Sequence, residues 1–328
     1  MHVQANGWSM YSLPGGSAAY KDFFIAVAVI TTVFVTVATI SVLAVFGAVI
    51  VPIPMLYYYS RLGRLPGVLV LALSLLIAMT ILRALGFQAV FWYFFVLGSM
   101  GPVLSEVLRK DYTVEKTVIC SVSVLLILIL VILFYLSLGS VQAPWDIVGA
   151  HISTMVHENI ELYSRAGISI QHIETLKENE GHIARLLMGL FPAFILAGTA
   201  FFTWLNILGG KWLFGKKGMW YPDFGDLTLW KTPDKTVWLV VIAGVFILIP
   251  SQVFRILGVN ILIVLLFVYM LQGLAIVDFF FERKNVPVIF RALGYILIFA
   301  QQLLLFIVTG LGLIDTWADF RKASRKSD

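Results

Sequence analysis

The stretch "MVHENIEL", residues 155–162, carries His157, Glu158 and Glu161, with His151 before it and His172 and His182 after it. An imidazole and a carboxylate one helical turn apart can share a metal ion. Zinc-type proteases use His-Glu-x-x-His, two imidazoles at i and i+4 with the glutamate as base. Here Glu161 holds the second place, and a third ligand from His151, His172 or His182 requires the chain to fold back on itself. At about 100° per residue on a helix, Val148, Ile152, Met155, Val156, Ile160 and Tyr163 fall on one side. His151, Thr154, His157, Glu158, Glu161 and Arg165 fall on the other. Gly167 is a stop, and Ser169 caps a second helix with Ile170, Ile173 and Leu176 on one face. Residues 139–183 therefore read as an acidic amphipathic hairpin lying on a membrane surface, with Glu158, Glu161 and Arg165 in water. The histidines sit where such a helix puts its polar residues, and no Gly-x-Ser-x-Gly turn supplies a nucleophile elsewhere. No catalytic, cofactor-binding or metal-ligating residue is assigned, and no enzyme is expected.

A second set of polar residues interrupts apolar runs: Gln272, Gln301, Gln302, Asp278 and Asn260. In hydrocarbon an unpaired amide costs several kcal/mol, so each needs a partner. The set reads either as glue between helices or as a patch for a small ligand. Gln272 is expected to meet Gln301 or Gln302 at one depth, because a short link makes the last two spans antiparallel neighbours. Arg255, Gly258 and Asn260 read as a turn, and Asp278 lies near a helix end beside Glu282 and Arg283. Thr32, Thr36 and Thr39 share a face, and Pro52, Pro54, Pro192 and Pro250 break apolar runs.

The elements that must carry these residues follow from composition. Of 328 residues, 60% are hydrophobic and 12% charged, against roughly 25% charged in soluble domains. Lipid is the solvent for most of the chain. The net charge of +5 sits in short clusters between apolar runs, as in loops at headgroups rather than on a nucleic-acid face. Cys120 stands alone, so no intrachain disulfide forms. Residues 1–22 lack the basic and small-residue signature of a cleaved leader. Helices follow at 23–138, then the hairpin insert at 139–183. Helices resume at 184–313 with a basic, Trp-rich loop at 209–235, and residues 314–328 form a basic tail. The run 23–59 is too long for one span and short for two. The count is eight spans, or nine if that run is a full hairpin, in an all-α polytopic bundle. The positive-inside rule puts the basic loops in the cytoplasm but leaves the basic tail outside, a conflict within the pattern.

"PIPMLYYYSRLG" (52–63), "LLMGLFPAFIL" (186–196), "WLNILGG" (204–210), "LQGLAIVDFF" (271–280) and "LGLIDTWADFRK" (311–322) resemble the YybS-like family of bacterial membrane proteins, a domain of unknown function. The resemblance implies a multi-pass protein of the bacterial inner membrane, similar in fold to the substrate-binding subunits of vitamin importers, with no catalytic residues to carry over. The expected function is a scaffold or small-molecule-binding and transport subunit of a membrane complex. Its expected partners are membrane lipids and other membrane subunits, with no nucleic acid and no cofactor. An autonomous secondary transporter and a metalloenzyme on the hairpin histidines are the alternatives.

Overall fold

The computed structural model describes residues 16–40, 43–44, 46–87, 91–140, 142–165 and 170–321. The stop at Gly167 and the cap at Ser169 lie outside them, as do the side chain of His172 and the tail beyond Arg321. The chain forms two compact units: residues 1–144 with 198–223, and 145–197 with 224–328.

The first unit holds α1 (Gly16–Thr39), α2 (Gly47–Ile50), α3 (Pro52–Leu62), α4 (Arg64–Ala84), α5 (Phe91–Leu108) and α6 (Val114–Ser140). The later part of α9 (Glu180–Lys216) completes it. Pro52 sits at the start of α3, where its missing N–H is no loss. Gly63, at φ 88°, makes the reversal into α4 that a side chain would resist. Within the run 23–59, α1 goes out and α3 comes back. Near one end a Cβ on Gly47 would stand 3.0 Å from Val37 of α1. Near the other, Arg61 pairs with Asp22 at 2.6 Å. Ala26, Ile30, Phe34 and Val37 of α1 thus bury against Met55 and Leu62 of α3 and Val70 and Leu75 of α4. Gly101 lets α5 approach α3 so closely that a Cβ there would lie 2.6 Å from the Leu56 nitrogen. Small residues at such contacts let helices pack by van der Waals forces where lipid removes the hydrophobic drive.

The second unit contains α7 (Pro144–Arg165), α8 (Ile170–Glu178), the start of α9, α10 (Val237–Leu248), α11 (Gln252–Arg283), α12 (Val288–Ala300) and α13 (Gln302–Ala318). Part of the hairpin's apolar face packs on protein. Val156 and Ile160 bury with Ala184, and Ile152, Leu176 and Ile183 pack on them. Met155 and Tyr163 of the same face are exposed. Glu158, Glu161 and Arg165 are exposed, as their angular positions require.

Among the described residues six helices are long and apolar enough to cross a membrane, or seven if α12 and α13 are one bent span. About eight were expected, and α2, α3 and α10 fall short of that length. Pro250 ends α10 after 12 residues, roughly 18 Å. The break falls there and not at 255–260: Arg255, Gly258 and Asn260 lie inside α11. The last apolar run is not straight either, for α12 and α13 meet at 102° across Gln301.

Candidate functional site

The middle of α11 is where the polar groups of the second unit converge. A Cβ on Gly258 would stand 2.7 Å from the Ala243 carbonyl, so α10 lies against the first part of α11. A Cβ on Gly273 would stand 2.0 Å from the Val308 carbonyl, and one on Gly312 equally close to that of Tyr269. Helix α13 therefore lies backbone to backbone against the later part. The loop that leads into α10 and the end of α13 meet the same stretch of α11, and Gln272 faces them there. Irregular backbone inside a membrane must find its partners within the protein.

Fully buried Gln272 supplies them. Its carbonyl oxygen accepts from the Thr232 amide at 3.1 Å, and its amide nitrogen donates to Asp315 Oδ2 at 3.0 Å. Asp315, also fully buried, accepts at Oδ1 from the Phe320 amide at 2.9 Å and at Oδ2 from Arg321 Nη2 at 2.6 Å. Arg321 donates through Nη1 to the carbonyls of Thr228 (3.0 Å) and Trp230 (2.8 Å). Local structure delivers each part. Asp319, left-handed at φ 44°, caps α13 and turns the chain so that Arg321 returns over Asp315. The Asp226 carboxylate accepts from the Thr228 amide at 2.9 Å and caps the short turn Leu227–Leu229 that presents the two carbonyls. Lys231 reaches the Thr316 carbonyl at 3.5 Å. A carboxylate matched to a guanidinium, with the remaining bonds going to backbone and amide, holds these elements together.

The expected patch is dispersed. Gln272 bonds to Asp315 and Thr232 rather than to Gln301 or Gln302, which are exposed at the bend between α12 and α13. Gln301 stands at the N-cap of α13 with extended backbone and makes no side-chain cap bond there. Asn260 works elsewhere in the second unit. Its Oδ1 accepts from the Ala193 amide at 2.9 Å, and its Nδ2 donates to the Gly189 carbonyl at 2.8 Å. Those are the two groups that an unbroken α9 would join, and Pro192 lies between them. Asn260 thus splints a proline-interrupted helix. Asp278 lies 4.0 Å from Arg291, which also approaches Glu282 at 3.7 Å.

Asp315 and Arg321 escaped the sequence reading because they fall in what reads as a polar tail. The available signal was one acid inside "LGLIDTW", a run otherwise apolar enough to belong to a span.

The first unit has its own cluster, at the end where α3 turns into α4. Glu106 accepts from Tyr59 Oη at 3.0 Å, and Arg64 grips it through two bonds of 3.0 and 2.8 Å. Arg109 lies 3.6 Å from the same carboxylate. Arg61 donates to Tyr57 Oη at 2.8 Å besides its pair with Asp22, and Ser60 and Ser105 share a buried hydroxyl bond of 2.8 Å. Tyr57 stacks edgewise on Phe214 near the end of α9, and Phe214 on Tyr221. Burial raises the Tyr221 hydroxyl above its ordinary pKa, keeping it the donor to the Ile207 carbonyl at 2.8 Å.

On the hairpin, His157 lies between Glu180 (3.2 Å) and Glu161 (3.6 Å), and Arg165 donates to Glu161 at 3.0 Å. His151 and His182 are exposed. Among the described residues no three of His, Cys, Asp and Glu are placed to hold a metal ion.

A family model described as "Predicted membrane protein (DUF2232)" matches residues 28–316. No curated protein and no solved structure matches the chain.

Proposed function

The chain belongs to this family of membrane proteins, DUF2232, and we propose on that premise that it is a non-catalytic scaffold subunit of a complex in the bacterial inner membrane. The observation that supports the reading is the use made of the polar groups within the spans. Gln272 and Asn260 give both ends of their amides to the protein itself, one closing a junction of three elements and the other splinting a kink. A substrate cavity keeps such groups available for a ligand. A secondary transporter needs an ionisable group free to couple an ion, whereas Asp315 is matched to Arg321 and Asp278 lies by Arg291.

Purification of the native protein from its own membrane in mild detergent tests the proposal. At least one other membrane subunit should accompany it in near-fixed ratio through gel filtration. A chain that purifies alone and moves a solute after reconstitution into vesicles would establish the transporter in its place.

A further inference from the structure

We propose that one end of the first unit is a docking surface for anionic phospholipid headgroups of the cytoplasmic leaflet. The contacts within the unit sort its charges by end. Arg61 reaches Asp22 at the start of α1, Arg64 reaches Glu106 at the end of α5, and Tyr57 packs on Phe214 near the end of α9. These three contacts gather the start of α1, the turn from α3 to α4, the link from α5 to α6 and the end of α9 at one place. Basic residues arrive there on every connection: Arg61 and Arg64, Arg109 and Lys110, Lys216 and Lys217, with Lys21, Lys116 and Lys211 nearby in sequence. The acids are Asp22, Glu106, Asp111, Glu115 and Asp223, and the bases outnumber them. At the opposite end, where α4 and α6 finish and α5 begins, the described residues include the single charge Arg83.

Aromatic residues lie at both ends. Tyr57, Tyr59 and Trp212 lie at the basic end, with Lys216 4.2 Å from the Trp212 ring. At the other end Trp92 and Tyr135 pack with centroids 5.5 Å apart. Trp92 of α5 and Arg109 just beyond its end are separated by roughly 26 Å at about 1.5 Å per residue, close to the thickness of a hydrocarbon core. Tyrosine and tryptophan mark headgroup depth on both sides, while positive charge marks only one. That asymmetry selects the leaflet with anionic lipid, and short basic loops at membrane ends stay in the cytoplasm.

The full-length protein tests this in two ways. In a Cys120→Ser background, Gly139→Cys and Gly215→Cys mark the two ends at exposed positions where a Cβ meets nothing within 4 Å. A membrane-impermeant maleimide added to intact cells should label the Gly139→Cys protein. It should label the Gly215→Cys protein only after permeabilisation. The reverse pattern overturns the orientation. The second test reads the lipid retained by the protein purified in mild detergent, measured as the ratio of phosphatidylglycerol to phosphatidylethanolamine. Replacing exposed Lys110, Lys216 and Lys217 with glutamine leaves the Glu106 ion pairs intact. It should lower that ratio by at least about fivefold, and raised salt should lower it in the unaltered protein. Equal ratios in the two proteins overturn the lipid partner.

Discussion

The two units each contain a carboxylate held by arginine, and the surroundings make these two different devices. Asp315 and Arg321 are 0% and 6% exposed, whereas Glu106 and Arg64 are 32% and 73% exposed. Removing two charges from water costs several kcal/mol for each, which the pairing recovers only when every remaining bond is made. Around Asp315 the bonds are made: Gln272, Phe320 and Arg321 reach the carboxylate, and two carbonyls receive the guanidinium. The exposed pair is screened by water and salt, so its geometry says little about stability. The buried device fixes which elements meet. The exposed one leaves charge free to face a membrane surface.

The comparison breaks most visibly if Asp315 is removed. Asp315→Leu strands the Arg321 guanidinium among apolar helices, with an expected loss of about 3–5 kcal/mol. Thermal unfolding of the purified protein in detergent should register it. Asp315→Leu combined with Arg321→Met should recover most of the loss, because an apolar pair of similar volume is often as stable as a buried ion pair. If the double variant is as unstable as the single one, the cluster acts by shape and not by charge. Gly312→Val comes next. A side chain there meets backbone at the Tyr269 carbonyl, which cannot move aside as a flexible side chain can. Overpacking of this kind costs about 1–3 kcal/mol, and the same substitution at Gly139, where a Cβ meets nothing, should cost far less.

How much of this the chain announced depends on the kind of signal. The membrane class was legible from composition, and the wet face of α7 from spacing, because Glu158, Glu161 and Arg165 stand where their angles put them. The bend at Gln301 was hidden, since residues on both sides are apolar and hydropathy carries no direction. The return of residues 46–62 along α1 was half legible: prolines marked the break, but the contacts that reverse the chain lie far apart in sequence. Gln272 was singled out because an amide in a span needs a partner. The partner was misjudged because depth estimated from span ends placed Gln301 beside it, whereas the bend removes Gln301 from the bundle and the end of α13 brings Asp315. Long-range pairing of this sort is written in three dimensions and has no local period.

Gln272→Leu sharpens the same contrast. If the residue were one of two facing amides, leucine would suit its surroundings and cost little. In the junction it instead leaves the Thr232 amide without its acceptor and the Asp315 carboxylate with one donor fewer. The expected loss is about 1–3 kcal/mol, the cost of an orphaned buried polar group. Gln272→Glu is the informative companion, because it keeps the shape and sets a second carboxylate beside Asp315. It should destabilise more at neutral pH than in acid, where protonation restores a donor.

The exposed pair gives the smallest effect, and the smallness is the test. Arg64 and Glu106 form two short hydrogen bonds, yet Arg64 is largely in water. Arg109 and Tyr59 also reach the same carboxylate, so Glu106 keeps partners when Arg64 is lost. Arg64→Gln should therefore leave the unfolding midpoint close to that of the unaltered protein. A double-mutant cycle of Arg64→Gln and Glu106→Gln, followed by thermal unfolding at low and at high salt, measures the coupling without the cost of either substitution alone. The coupling should shrink as salt rises, since ions screen exposed charges over about 8–10 Å. The same cycle on Asp315→Asn and Arg321→Met should be several times larger and nearly indifferent to salt. Equal salt sensitivity at the two sites would mean that water reaches Asp315, and the division between a sealed junction and an open charged end would fall with it.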